Sequence, residues 1–181
     1  MRVRRASPGL SALTDVTPTA MSHPPPPENN RTQTSAARRE LQAMAWPQKL
    51  ALARIIAAQA ALQAGTRTVP IQTLRGLTRT LARASRAVPR GPKSALEIAR
   101  LHALATTLTP FPVECVAESL ALWLTLRSYG HPAAVQLGCR SIFGRLEAHA
   151  WVELDGATLN DPMGERDTWH AFDEPLLRGH D

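Results

Sequence analysis

The sequence predicts an α+β domain in which helices come first and a small antiparallel sheet follows. Apolar residues recur at helical spacing from about Arg38 to Tyr129. After Pro132 the period falls to two, and Asp155-Gly156 forms a two-residue hairpin turn between the last two strands. At 181 residues and 44% hydrophobic, the chain can bury one modest core and still leave a tail.

Residues 1–37 read as a disordered tail, because SHPPPPENNRTQTS is Pro-rich and polar with no apolar period. Residues 38–109 read as a helical N-terminal region and 110–181 as the mixed helix-and-sheet core, with 38–181 forming one compact domain. Pro47 suits a first helical turn, and the helix runs to Gly65 as its stop. Leu50, Ala53, Arg54, Ala57, Ala61 and Ala64 fall at helical spacing, with Leu52, Ile55, Ile56 and Leu62 widening the apolar stripe. A second helix from Pro70 is expected to face inward through Leu74, Leu77, Leu81 and Val88 and outward through Arg75, Arg79, Arg83 and Arg86. Ser94 and Glu97 form a capping-box pattern ahead of a third helix. Pro110 and Pro112 interrupt the chain, and a fourth helix runs over ECVAESLALWLTLRSYG to Gly130.

AAVQLGCR is the first strand, with Val135, Leu137 and Cys139 on one face. LEAHAWVEL is the second, with Ala148, Ala150, Val152 and Leu154 on one face and His149, Trp151 and Glu153 on the other. ATLND returns as a third strand, and the C-terminal DTWHAFDEPLLRGHD reads as a short helix or irregular cap.

Charge is divided unevenly. Residues 1–110 carry a net +12 and residues 111–181 a net −6. The basic half admits an acidic or nucleic-acid partner, or is a solvated Arg-rich surface. Aromatics for base stacking are missing around residues 75–90, which argues against single-stranded nucleic acid. Two cysteines make no disulfide framework or CxxC pair, and no apolar run reaches the ~18 residues of a membrane span. The N-terminal residues lack a continuous apolar stretch for a secretory signal. A cytoplasmic protein with free thiols is expected.

The chemistry concentrates on three residues. Cys115 falls in the first turn of a helix, where the partial positive charge favours a thiolate and backbone N–H groups can receive an oxyanion; its plain alternative is a small buried hydrophobe. His149 lies on the non-core face of its strand, where it can take the proton of Cys115. Asp161 ends the next strand, and pairing Leu154 with Ala157 across the turn sets Ala150 opposite Asp161, one residue from His149. Asp161 can then orient the imidazole. The alternative for Asp161 is a turn residue before Pro162, and Asn160 is a rival for the orienting role.

The ordered segments C-V-A-E-S-L-A-L, G-H-P-A-A-V-Q-L-G-C-R, A-H-A-W-V-E and D-G-A-T-L-N-D resemble the leader peptidases of lasso peptide biosynthesis, the B proteins. These are a transglutaminase-like branch of the papain-like cysteine proteases. The resemblance is firm over residues 110–162 and looser over AWPQKLALARIIAAQAAL. It puts the family's Cys, His and Asp on Cys115, His149 and Asp161. It implies an enzyme that removes the leader from a ribosomally made lasso precursor peptide, after which an asparagine synthetase-like cyclase uses ATP to close the macrolactam. No cofactor bound by this chain itself is implied. The absence of strand signals in residues 1–45 resembles the split form of the family, which works with a separate leader-binding RiPP recognition element protein. Cys139 stands where the family has an aliphatic residue, and its row marks it as a core residue.

Three other readings stay open on the residues. A zinc site of Cys115, Cys139, His149 and Asp161 has suitable ligand types, but its spacing fits no common pattern and Cys139 faces away from His149. The Arg-rich helix could dock the cyclase or the leader-binding protein. The fold could serve acyl transfer, or be a scaffold, instead of amide hydrolysis.

Overall fold

A computed structural model describes residues 30–84, 94–161 and 168–179. Within them run α1 (Asn30–Ala43), α2 (Trp46–Thr68), α3 (Ile71–Ala84), α4 (Ala95–Leu108), α5 (Cys115–Ser128), β1 (Ala134–Ile142), β2 (Arg145–Leu154), β3 (Ala157–Thr158) and β4 (His170–Ala171). The α+β order is as expected. The first helix starts at Asn30, ahead of the boundary expected at residue 38, and its Ala37 is buried between α2 and α4. The remainder of the expected tail, residues 1–29, lies outside the described residues.

Helix α5 is the centre of the molecule. Ala117, Ser119, Leu120, Ala121, Leu122, Trp123 and Leu126 are buried around its whole circumference. A helix apolar on all sides has to be enclosed, and α5 packs on α2, α3 and α4 as well as on β2 and β1. The Trp123 indole N–H donates to the Ala133 carbonyl at 2.8 Å, which ties the helix to the chain entering β1. Gly130 (φ 87°) ends the helix in the left-handed region, and the His131 N–H closes onto the Leu126 carbonyl at 3.0 Å.

Two helices differ from expectation for packing reasons. Gly65 does not stop α2, which continues to Thr68. A Cβ on Gly65 would stand 2.9 Å from Leu74 Cδ1, so the glycine is there to let α3 approach. The buried stripe of α2 is Leu52, Ile55, Gln59, Leu62 and Gln63, while Leu50 is exposed. On α3 the inward residues are Leu74, Thr78 and Ala82, and Leu77 and Leu81 face out. Small Thr78 and Ala82 let α3 lie close to α5, rotating the helix away from its leucine row. Thr78 spends its hydroxyl on the Leu74 carbonyl at 2.8 Å. Val88 and Arg86 lie outside the described residues. Ser94 does cap α4, accepting the Glu97 N–H at 3.2 Å.

His102 of α4 is buried, with its Nε2 3.0 Å from Thr125 Oγ1. Thr125 gives its own proton to the Ala121 carbonyl, so it must accept from His102, and Nδ1 is left as an acceptor with no partner among the described residues. Burial drives the imidazole from 6.5 to about 3. The unfolded chain therefore binds a proton below pH 6.5 that the folded protein refuses. Stability should fall as pH drops from 6.5 towards 3, by about 1.4 kcal/mol per unit at most from this group. Urea unfolding from pH 7 to 4 should give a shallower decline for His102→Leu than for the wild type. Parallel declines would contradict this role.

The sheet has the order β3-β2-β1-β4 and is antiparallel throughout its pairings. Val135 opposes Val152 and Leu137 opposes Ala150 on the face that α5 covers. The opposite face carries Arg140, Glu147, His149, Trp151 and Glu153. Cys139, expected in the core, is only half-buried opposite exposed Ala148; its row extends past the part of the sheet that the helices cover. Asp155 and Gly156 adopt φ of 50° and 80°, as the predicted turn requires. The described C-terminal residues 168–179 form no α-helix and are largely irregular, but they include a strand that the expectation of a short helix or irregular cap lacked. The segment crosses to the far edge, where β4 pairs Ala171 with Gly138 and His170 with Cys139, and Leu177 bridges Val135.

Candidate active site

Cys115 is the first residue of α5. Glu114 precedes it in extended conformation, and the buried Gln63 side chain of α2 accepts the Glu114 N–H at 2.7 Å. The start of the helix is thus fixed from a neighbouring helix rather than by a capping side chain of its own.

The backbone amide of Ala150 on β2 is among the groups that act on the Cys115 thiol. Burial pushes the thiol above its ordinary value. The Ala150 amide and the amides of Val116 and Cys115 pull it down, while the Glu118 carboxylate adds a smaller upward push. The downward pull of the helix N-terminus is present as expected, but burial outweighs it. The resting group is therefore a thiol that needs a base.

His149 immediately precedes Ala150. Its ring lies between Trp151 (centroids 6.0 Å apart, 22° between planes) and Trp169 (5.0 Å, 29°). The Arg140 guanidinium sits over Trp169 at 4.0 Å, donates to Thr168 Oγ1 at 3.1 Å and pairs with Glu147 at 3.0 Å. Gly138 opposes His149, and a Cβ there would come within 2.8 Å of the Trp151 ring and 2.9 Å of the His170 carbonyl. A bare backbone at Gly138 is what lets the indole lie flat and β4 close in.

Asp161 is placed differently from expectation. The predicted register holds through Leu154 with Ala157 and Glu153 with Thr158, and the Leu159 N–H reaches the Val152 carbonyl at 2.9 Å. The Val152 N–H then goes to the side chain of Asn160, at 2.7 Å. A side-chain amide has taken over a ladder bond, so β3 ends at Thr158 and Asp161 leaves the strand. Asp161 is half-buried, and its Oδ2 is enclosed with no hydrogen-bond partner among the described residues. Ser119 of α5, one turn after Cys115, is joined to Ala150, the residue beside His149, by a hydrogen bond of 3.0 Å, and Asp161 is not carried into strand pairing with Ala150. Among the described residues no group of three His, Cys, Asp or Glu is arranged to hold a metal ion.

Sequence reasoning passed over Ser119, Gln63, Trp169 and Arg140. Ser119 had a signal: it is a polar residue one turn beyond Cys115, inside a run otherwise apolar on that side.

Residues 58–174 match the family profile described as the transglutaminase-like superfamily. The chain belongs to that superfamily. The match starts inside α2, ends beyond β4 and includes Cys115, His149 and Asp161. No curated protein and no solved structure gives a significant match. Members of the transglutaminase-like superfamily are generally cysteine peptidases or acyltransferases. No helix among the described residues is long and apolar enough to cross a membrane.

Proposed function

We propose that this transglutaminase-like protein is a cysteine peptidase that removes the leader from a lasso precursor peptide. The observation that carries the reading is the tie between the first turns of α5, which Cys115 opens, and Ala150, the residue after His149, through the Ser119 hydroxyl at 3.0 Å. His149 takes the thiol proton, and the sulfur attacks the carbonyl of the last leader residue. The C–N bond breaks as His149 returns the proton to the leaving amine of the core peptide. Water then hydrolyses the thioester to give the leader carboxylate and the free thiol. Asp161 orients the imidazole, and its enclosed Oδ2, without a hydrogen-bond partner among the described residues, is an acceptor available for that task. The half-buried thiol favours a base-assisted attack over a standing thiolate. The lasso assignment within the superfamily rests on the ordered motifs of residues 110–162.

The leader is recognised with a separate leader-binding protein, and the product passes to an ATP-using cyclase. The test is leader removal followed by mass spectrometry, with a lasso precursor and a leader-binding protein supplied. Cys115→Ala should abolish cleavage. Cleavage that persists in this variant, or transfer of the leader to an added amine in place of hydrolysis, would refute the peptidase reading.

A further inference from the structure

The contacts around Ala150 assign a task to two residues outside the proposed triad. Because β3 stops short, the outward N–H and C=O of Ala150 have no strand partner. The carbonyl is met from α5 instead: Ser119 donates its hydroxyl proton to it at 3.0 Å, and Cys115 lies one turn earlier on the same side of the helix. Ser119 is fully buried. Its oxygen in turn accepts from Asn160 Nδ2 at 3.0 Å, while Asn160 Oδ1 accepts the Val152 N–H at 2.7 Å.

The result is one continuous chain of hydrogen bonds: Val152 N–H to Asn160, Asn160 to Ser119, Ser119 to the Ala150 carbonyl. It stands in for the strand ladder and fastens the first turns of α5 to the open edge of β2. We propose that Ser119 and Asn160 are positioning residues that hold Cys115 at working distance from His149. They touch no reacting atom. Their effect is exerted through the spacing of helix and strand, and an error of the order of 1 Å in such spacing costs up to ~10²-fold in rate. Asn160 also sets the departure of the chain that delivers Asp161. This inference rests on the Cys115–His149 reading of the site.

The test needs no natural substrate. In the full chain carrying Cys139→Ser, Cys115 is alkylated with iodoacetamide at pH 7 and followed by intact mass. Glu118 on α5 is the ionisable group that bears on the thiol, and it is left in place. His149→Ala should slow alkylation about tenfold or more, since the base is gone. Ser119→Ala and Asn160→Asp should each slow it by a similar factor, the latter because aspartate keeps the acceptor for Val152 but cannot donate to Ser119. Combined with His149→Ala, neither should add a further effect, because they act only through that pair. Unchanged alkylation in both variants would overturn the positioning role. So would equal slowing with and without His149, which marks general loosening. If His149→Ala alone has no effect, the reading of the site fails first and the positioning role with it.

Discussion

His149→Ala is expected to lower leader cleavage by about 10²- to 10⁴-fold, the usual contribution of a general base. The resting thiol makes this loss large: burial holds the Cys115 proton in place, so attack depends on a group that removes it. The fold should survive. The imidazole is half-buried, and its main described contacts are the rings of Trp151 and Trp169. Losing such ring contacts costs about 0.5–1.5 kcal/mol each, a drop of a few degrees in Tm for a domain of this size. Cleavage rate and thermal unfolding measured on the same preparation separate the two effects. A variant that melts normally and cleaves normally would remove His149 from the mechanism.

Trp123→Ala should be the most destabilising single change in the described core, at about 3–5 kcal/mol. Trp123 is wholly enclosed by the layer where α5 meets the other helices and the sheet, and no neighbouring side chain can collapse fully into the space of an indole. The variant also strands the Ala133 carbonyl that the indole N–H satisfies. Trp123→Phe should retain much of the packing and lose mainly the hydrogen bond, so its cost should be clearly smaller. Urea denaturation of the three proteins gives the ranking, and equal stability for Trp123→Ala and the wild type would contradict the central position of α5.

The parts of the fold set by local pattern were legible in advance. Alternation placed His149 and Val152 on opposite faces of β2, and Asp155-Gly156 fixed the register of the last hairpin. What escaped was decided by contacts between distant residues. Gly65 looks like a helix stop because its local propensity is poor, yet its role is to admit Leu74 from another helix. The leucines of α3 form a persuasive stripe, but proximity to α5 favours the smaller Thr78 and Ala82. Strand β4 is too short for any period to declare itself.

The site follows the same division. Cys115 and His149 sit on elements whose periodicity is plain. Asp161 follows a strand whose end is set by a competing side-chain amide, that of Asn160, and that competition is visible only once Ser119 and Val152 are seen beside it. Trp169, with Arg140 over its ring, meets His149 from a segment that shares no motif with it.

The claim that Cys115 is the nucleophile has one direct test. Leader cleavage quenched in acid, then analysed by intact mass and peptide mapping, should reveal the leader acyl group as a thioester on the peptide containing Cys115, and no adduct in Cys115→Ala. An acyl group carried by Cys139 or another residue, or leader removal by Cys115→Ala, would contradict it.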